Sequence, residues 1–373
     1  MKVPFMNLSD GLEPIKEEIL AKIGDLIDHT RFVGGEDITL FEEEFASFCG
    51  TKYSVGCANG TDALILALKI LNIGPGDTVV VPANTFIATS EAVTFVGANV
   101  EFVDVCEDSW TMDPVKLEEF LNQTDKDVKA VIPVHIYGRM ADMPAIMAVA
   151  EKYKLKVVED SAQAHGALLD GKGPGHWGDM ATFSFYPGKN LGAFGDAGAL
   201  VTNNTELAER AKAYANHGRL PGQKYEHGFE GANLRIDTLQ AAILRIKLRH
   251  LAVATDKRIA LTERYTEKLS AVSELKLPAS LKKDKQVFHL YVIHHKDREN
   301  LKKNLAEAGI STGIHYPIPL HQQPAYAYKN YAVGSFPVAE YNAAHCLTLP
   351  LWPEMTKEQQ DYVIAKVSEL CRG

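Results

Sequence analysis

Between about Tyr53 and Thr202, short apolar runs rich in β-branched residues alternate with stretches of helical periodicity. Such alternation is the pattern of a parallel sheet whose strands are joined by crossover helices. Seven strands are predicted, at Tyr53 to Cys57, Thr78 to Val81, Val100 to Val103, Ala130 to Val134, Lys156 to Val158, Ala181 to Phe185 and Ala199 to Thr202. The fold class expected is α/β, with one large, mostly parallel, seven-stranded sheet. Gly74-Pro75-Gly76-Asp77 reads as a plain turn into the second strand. A long helical pattern starting near Asp237 leads towards a smaller C-terminal unit. There the pattern predicts a strand around Phe288 to Ile293, a helix from Arg298 to Ala308 and a terminal helix from Lys357 to Leu370. The expected division is a large domain with an N-terminal helical segment over 1–250 and a small α+β domain over 251–373. No internal repeat interrupts this plan.

Composition narrows the function. A chain of 373 residues exceeds what one core usually organises, and 46% hydrophobic with 23% charged residues is the balance of an ordered globular enzyme. The net charge of −9 argues against an extended nucleic-acid surface, which needs clustered Lys and Arg. An anionic small substrate would have to be held by local cations against the field of the whole protein. The first residues lack the apolar run of a signal peptide, and no later stretch is long enough to span a membrane, so a cytoplasmic protein is expected. Cys49, Cys57, Cys106, Cys346 and Cys371 form no C-x-x-C pair, and the 13 histidines show no H-E-x-x-H spacing. Neither a disulfide framework nor a metal site is expected.

Three segments carry candidate chemistry. In Ala58-Asn59-Gly60-Thr61-Asp62, a strand gives way to an apolar helix, and the first helical amides form an anion site with Gly60 allowing close approach. An ordinary N-cap by Asn or Thr explains the same residues. In Val157-Val158-Glu159-Asp160-Ser161-Ala162-Gln163, a strand ends in carboxylates at the sheet edge where ligands of open α/β sheets bind. Side chains alternate along a strand, so Glu159 and Asp160 face opposite sides. The third segment runs from Phe183 to Gly198 and places Lys189 after a strand within a Gly-rich loop. Apolar neighbours there can desolvate its amine and lower its pKa, as an imine-forming lysine needs. Asn190 follows the lysine, so no Walker-type phosphate loop is formed.

With these segments in order, the sequence resembles the DegT/StrS family of sugar aminotransferases, which are pyridoxal phosphate enzymes of fold type I. The resemblance runs through Pro4-Phe5, Val33-Gly34-Gly35, A-N-G-T-D-A-L, Pro82-Ala83-Asn84-Thr85-Phe86 and Pro133-Val134-His135-Ile136-Tyr137-Gly138. It continues through E-D-S-A-Q, S-F-Y-P-G-K-N-L-G, Asn233-Leu234-Arg235 and His315-Tyr316-Pro317-Ile318-Pro319. It implies that Lys189 carries pyridoxal 5′-phosphate as a Schiff base and shuttles the proton, and that Asp160 pairs with the pyridine nitrogen. It further implies that Gln163 lies near the ring hydroxyl, that Phe86 stacks on the ring, and that Gly60, Thr61 and Ser184 hold the phosphate. Asn233 is expected to reach that phosphate from a neighbouring subunit of a homodimer with shared sites. Relatives that dehydrate sugars carry histidine in place of the lysine, and Lys189 sets this chain apart from them.

The implied reaction moves an amino group from L-glutamate to a nucleotide-linked keto sugar. The motif around Lys189 looks most like enzymes acting on dTDP-3-keto-6-deoxyhexoses at C3, which supply amino sugars for lipopolysaccharide, other surface polysaccharides or antibiotics. Alternatives are a UDP-linked 3-keto sugar, a 4-keto sugar or a free keto sugar acid. In another class stands a non-catalytic regulator that binds the cofactor. Candidate substrate contacts are Arg219, Lys224, Arg235, His315 and Tyr316.

Overall fold

The structure, a computed structural model, describes residues 1–279 and 284–372. An N-terminal arm carries α1 (Ser9–Leu12) and α2 (Lys16–Asp28) ahead of α3 (Glu36–Cys49). Strands and helices then alternate as β1 (Tyr53–Cys57), α4 (Gly60–Ile70), β2 (Thr78–Pro82), α5 (Ala88–Phe95) and β3 (Asn99–Val103). They continue as α6 (Pro114–Gln123), β4 (Val128–Val131), α7 (Met143–Tyr153) and β5 (Lys156–Asp160). A short β6 (Leu168–Leu169) precedes β7 (Met180–Ser184), β8 (Gly198–Thr202), α8 (Thr205–Ala215) and the long α9 (Thr238–Leu269). The remainder is β9 (Leu275–Lys276), β10 (Asp284–Lys285), β11 (Tyr291–His295), α10 (Arg298–Glu307), α11 (Pro337–His345), β12 (Cys346–Leu349) and α12 (Lys357–Arg372).

Seven strands form the large sheet in the order β1-β8-β7-β5-β4-β2-β3. Only β8 runs against the others, since it is antiparallel to both β1 and β7 while every other pairing is parallel. Val79, Val80 and Val81 are fully buried because helices cover both faces, which is why these strands read as unbroken apolar runs. One side is filled by α4, whose Leu64, Leu66, Leu68 and Ile70 are buried, and the other by Phe41 and Phe45 of α3 against Phe183 and Phe185. A second, antiparallel sheet of order β12-β11-β9 packs with the later turns of α9, α10 and α12 around Tyr265, Tyr291 and Trp352. Val3 of the N-terminal arm joins that cluster and pairs with Ile310.

Several strand boundaries differ from expectation, three of them for identifiable physical reasons. β4 stops at Val131 instead of reaching Val134, because Pro133 has no N–H to donate; contact with β5 resumes only as the bridge from Val134 to Asp160. β5 in turn runs two residues past Val158, since Glu159 and Asp160 pair with Ala181 and Thr182 and find side-chain partners on either face. The C-terminal strand begins at Tyr291 instead of Phe288, which adopts a left-handed backbone with φ 42°. Among the described residues, no helix is long and apolar enough to cross a membrane, and no group of three or more His, Cys, Asp and Glu is placed to hold a metal ion.

Candidate active site

The sheet edge at the end of β5 sorts its two carboxylates to opposite faces. Glu159, fully buried, accepts the Gly175 and Gly178 amides at 2.9 Å each and lies 2.9 Å from His135 Nε2. His135 Nδ1 accepts the Ala141 amide, so the ring proton sits on Nε2 and is donated to Glu159. This pair ties the back of the strand. Asp160 faces the other way, 5% exposed, and accepts the Thr89 hydroxyl at 2.7 Å and the Ala162 amide at 3.1 Å. Because Thr89 spends its proton on Asp160, the Thr85 hydroxyl, 2.9 Å away, is the donor to Thr89.

Lys189 follows β7 in a loop folded tightly on itself: a Cβ on Gly192 would come within 2.3 Å of the Pro187 carbonyl oxygen. Burial pushes the Lys189 amine down to about 8, and the attraction of Asp160 opposes that shift only in part. Burial likewise pushes His165 down to about 3 and His315 to about 4, with the Lys189 charge adding to each, and His289 is lowered in the same way. The amine is therefore ringed by neutral imidazoles, and Asp160 supplies the attraction that acts on it.

Gln163 is oriented by its neighbours. The Tyr137 amide donates to Oε1 at 2.7 Å, which leaves Nε2 to donate to the Tyr316 hydroxyl at 3.1 Å. Burial, with the Asp160 charge behind it, holds the Tyr316 phenol protonated far above its ordinary range. The Tyr316 ring lies 5.6 Å from that of Phe86, tilted by 42°, and Phe86 keeps 53% of its surface open. His315 stacks on Phe5 and shares a 2.8 Å hydrogen bond with Thr348. Tyr137, at φ 60°, is the brace between these parts: its hydroxyl donates to the His315 carbonyl and accepts from Asn342, which also donates to Asn84 at 2.7 Å.

The turn before α4 joins this edge from another strand. Asn59 caps the helix by accepting the Asp62 amide at 2.8 Å, so the cap and the anion site coexist, since the Gly60 and Thr61 amides have no intrahelical partner. A Cβ on Gly60 would lie 2.6 Å from Ser184 Cβ, which explains the glycine and brings Gly60, Thr61 and Ser184 together. Leu234 and Arg235 run alongside, through the Ala58 amide to the Leu234 carbonyl and the bridge from Cys57 to Arg235.

Within one chain the structure thus gathers Lys189, Asp160, Gln163, Phe86, Tyr316 and His315 at one edge, with Gly60, Thr61 and Ser184 at the adjacent turn. It does not bring all the substrate candidates there. Arg235 donates to Asn216 at 2.9 Å, Lys224 lies over the ring of exposed Tyr225, and Asn233 is exposed. Among the described residues no hydrogen bond or ion pair links Arg219, Lys224 or Asn233 to the Lys189 group. Thr89 and Tyr137 escaped the sequence reading as site residues. Thr89 had a signal, a hydroxyl closing the N-T-F-x-A-T run, whereas the partners of Tyr137 come from distant segments.

Residues 13–368 match the DegT/DnrJ/EryC1/StrS aminotransferase family. A pleiotropic regulatory protein of Geobacillus stearothermophilus is 42% identical over 374 residues, covering 100% of this chain and 99% of that one. The UDP-N-acetyl-3-dehydro-alpha-D-glucosamine 3-aminotransferase of Acidithiobacillus ferrooxidans is 43% identical, covering 99% of this chain and 97% of its own. The dTDP-3-amino-3,4,6-trideoxy-alpha-D-glucose transaminase of Streptomyces venezuelae is 42% identical, covering 99% and 96%. The crystal structure of S. venezuelae DesV with a ketimine intermediate superposes with a TM-score of 0.96 at 42% identity, covering 100% of this chain and 99% of that one.

Two outcomes are expected from the site. Neutral Lys189 increases as pH rises through about 8, where an ordinary lysine at 10.5 is still almost wholly protonated. In protein stripped of cofactor, the rate of imine formation by Lys189 should therefore rise with a midpoint near pH 8; a midpoint near 10 would contradict the desolvated amine. Thr89→Val should lower turnover about tenfold, the scale of one hydrogen bond to a charged group, while Asp160→Ala should lower it by about 10²-fold or more. Steady-state rates with unchanged circular dichroism check both, and a Thr89→Val enzyme of full activity would remove the hydroxyl from the site.

Proposed function

The chain belongs to the DegT/DnrJ/EryC1/StrS aminotransferase family, and from that premise we propose that it transfers the amino group of L-glutamate to C3 of a dTDP-linked 3-keto-6-deoxyhexose. It is a sugar aminotransferase whose cofactor is pyridoxal 5′-phosphate. The residues present fit that cofactor. The observation that carries the reading is Asp160: a carboxylate 5% exposed, without an ion-pair partner among the described residues, facing the one desolvated amine of the edge. A protonated pyridine nitrogen is the kind of cation such a carboxylate matches, and the Gly60, Thr61 and Ser184 turn suits a phosphate.

When bound, the cofactor supplies a ring that draws off the electron pair left when the amino acid Cα–H bond breaks. Asp160 would hold the proton on the ring nitrogen, with Thr89 keeping the carboxylate aimed. Lys189, being neutral for much of its time near pH 8, takes the Cα proton and returns it on the other side of the exchange. Gln163 presents its amide with the orientation that Tyr137 imposes, and Phe86 and Tyr316, whose rings lie 5.6 Å apart, would flank the bound cofactor and help exclude water. The exposed Asn233, beside the phosphate turn but turned outwards, supports a homodimer in which each subunit completes the other's site. So do the exposed apolar side chains Phe32, Val33, Tyr186 and Phe194.

The UDP-linked 3-keto sugar remains the nearest alternative, given the UDP-sugar enzyme among the relatives, followed by a 4-keto sugar and a free keto sugar acid. The regulatory reading draws on the name of the Geobacillus relative, but the set Lys189, Asp160 and Gln163 supports retained chemistry. Placement in lipopolysaccharide or antibiotic formation, and in the cytoplasm, belongs to the same proposal.

Glutamate with a panel of dTDP- and UDP-linked keto sugars should yield an amino sugar, and efficient amination of simple 2-keto acids with no response to any nucleotide sugar would overturn the substrate class. Borohydride trapping and peptide mapping should attach the cofactor's mass to Lys189, and Lys189→Ala should abolish turnover. Mixed Lys189→Ala and Asn233→Ala subunits should regain part of the activity lost by each, because a hybrid dimer contains one intact site; no recovery, or an active monomer in sedimentation, counts against shared sites.

A further inference from the structure

Residues 286–290, between β10 and β11, form a strap that the large sheet and the Lys189 loop both grip. On the sheet side, the Val287 amide donates to the Gly138 carbonyl at 2.9 Å. The strap lies so close there that a Cβ on Gly138 would come within 2.7 Å of the Phe288 nitrogen and 2.8 Å of the His289 nitrogen. Gly138 adjoins Tyr137, whose amide orients Gln163. On the loop side, Asn190 donates from Nδ2 to the Val287 carbonyl at 3.0 Å, and its Oδ1 lies 3.3 Å from His289 Nδ1. Val287 and His289 are buried.

These contacts fix the state of the His289 ring. A carbonyl only accepts, so the Asn190 end that meets Val287 is the amide nitrogen and the end that meets His289 is the oxygen. His289 therefore carries its proton on Nδ1 and donates it, and Nε2 keeps a lone pair. A second proton is disfavoured from every side. Burial holds the ring well below its ordinary range, and so do Lys189 from the loop, Arg258 from α9, His315 from the segment after α10 and His165 from the turn after β5. Arg258 also meets the Phe288 carbonyl at 3.4 Å, so α9 holds the strap from a third direction. The Lys189 amine is faced in turn by Asp160 from β5 and by the imidazoles of His165, His289 and His315.

We propose that Asn190 and His289 are positioning residues for Lys189, a clasp that ties the lysine loop to the strap and so sets the place of the amine against the Gln163 edge. The assignment rests on the aminotransferase reading, in which Lys189 forms an imine. Within the loop, the Lys189 amide donates to the Tyr186 carbonyl at 2.8 Å, which shapes the turn without placing it against the sheet edge. Gln240 and Lys247 of α9 hold the later part of the loop at Phe194 and Gly192, and Asn190 is the side chain that reaches the strap. Because the strap holds Asn190 on one side and Gly138 on the other, Lys189 and Gln163 are referred to the same stretch of backbone. A neutral His289 gives Asn190 its donor without bringing another positive charge to the amine. A misplacement of about 1 Å can cost on the order of 10²-fold in rate, so two hydrogen bonds at this point bear directly on the chemistry.

The test uses the full chain stripped of cofactor, with imine formation at saturating pyridoxal 5′-phosphate followed by absorbance across pH. Asn190→Ala should lower the plateau rate by about tenfold while the midpoint stays near pH 8, because no charge is removed and the amine stays desolvated. His289→Phe, which cannot donate to Asn190, should show a similar loss. His289→Asn, whose amide nitrogen can stand where Nδ1 stands, should recover most of the rate. Nitrogen-15 spectra of the wild type should show His289 neutral, with its proton on Nδ1, through the whole profile. Unchanged plateau rates in Asn190→Ala and His289→Phe overturn the proposal. So does a loss accompanied by a midpoint moving towards 10.5, since water has then entered and the two residues only pack. A proton on Nε2 of His289 overturns the clasp directly, and that spectrum decides even where a variant fails to fold. Failure of the aminotransferase reading has a separate signature, a wild type that forms no imine at any pH, and it overturns the clasp with it.

Discussion

Burying a carboxylate without a paired cation is the constraint on which the rest of the site depends. Removing Asp160 from water costs several kcal/mol unless hydrogen bonds replace its hydration. The Thr89 hydroxyl and the Ala162 amide replace part of it, and Thr85 fixes the direction of the Thr89 proton. Each donor comes from an element whose own position is set by packing: Thr89 from the buried face of α5, Ala162 from the turn that leaves β5. Behind the strand, the His135–Glu159 pair and two glycine amides satisfy the neighbouring carboxylate completely, so the backbone that carries Asp160 is tied from the opposite face. What Asp160 still lacks is a counter-charge, and a ligand is the natural source of it.

A second dependence links the two sheets. Tyr137 lies in the large-sheet half of the chain, yet its amide orients Gln163 and its hydroxyl grips the His315 carbonyl of the C-terminal half. Asn342 completes the join by donating to both Tyr137 and Asn84 while its carbonyl meets His294 at 2.6 Å. The φ of 60° at Tyr137 is a strained conformation for a bulky residue, and this set of bonds is what holds it. Moving the C-terminal half relative to the sheet would therefore disturb Gln163 and Tyr316 together.

The legibility of the sequence follows the range of the interactions. Strand existence was plain because fully covered parallel strands are apolar at every position, and Asp160 was found because polar residues ended such a run. Lys189 and the α4 turn were legible for the same local reason, a Gly-rich break directly after a strand. Thr89 acts on a carboxylate 71 positions away, and Tyr137 on a carbonyl 178 positions away and an amide 205 away. Periodicity over a dozen residues carries no trace of such pairings. The end of β4 was misplaced because the apolar run Val131-Ile132-Pro133-Val134 continues past the proline that ends its hydrogen bonding. Arg219 and Lys224 stand out in the sequence by charge alone, and charge along a chain does not say what a side chain will meet.

Lys189 and Lys247 show why desolvation by itself does not make a nucleophile. Burial pushes both amines down to about 8, and both belong to the surroundings of one loop. They differ in what their hydrogens meet. Lys247 rises from the rigid frame of α9 and spends a donor on the Gly192 carbonyl, which fixes it in place. Lys189 sits on a loop whose tight closure at Gly192 leaves its side chain reaching towards Asp160, a carboxylate already engaged by two other donors. With that acceptor partly occupied, the Lys189 amine keeps a free lone pair at accessible pH, the form that imine formation needs. The same low dielectric therefore yields a fixed prop on the helix and, on the loop, an amine suited to nucleophilic attack, and the hydrogen-bond partner distinguishes them.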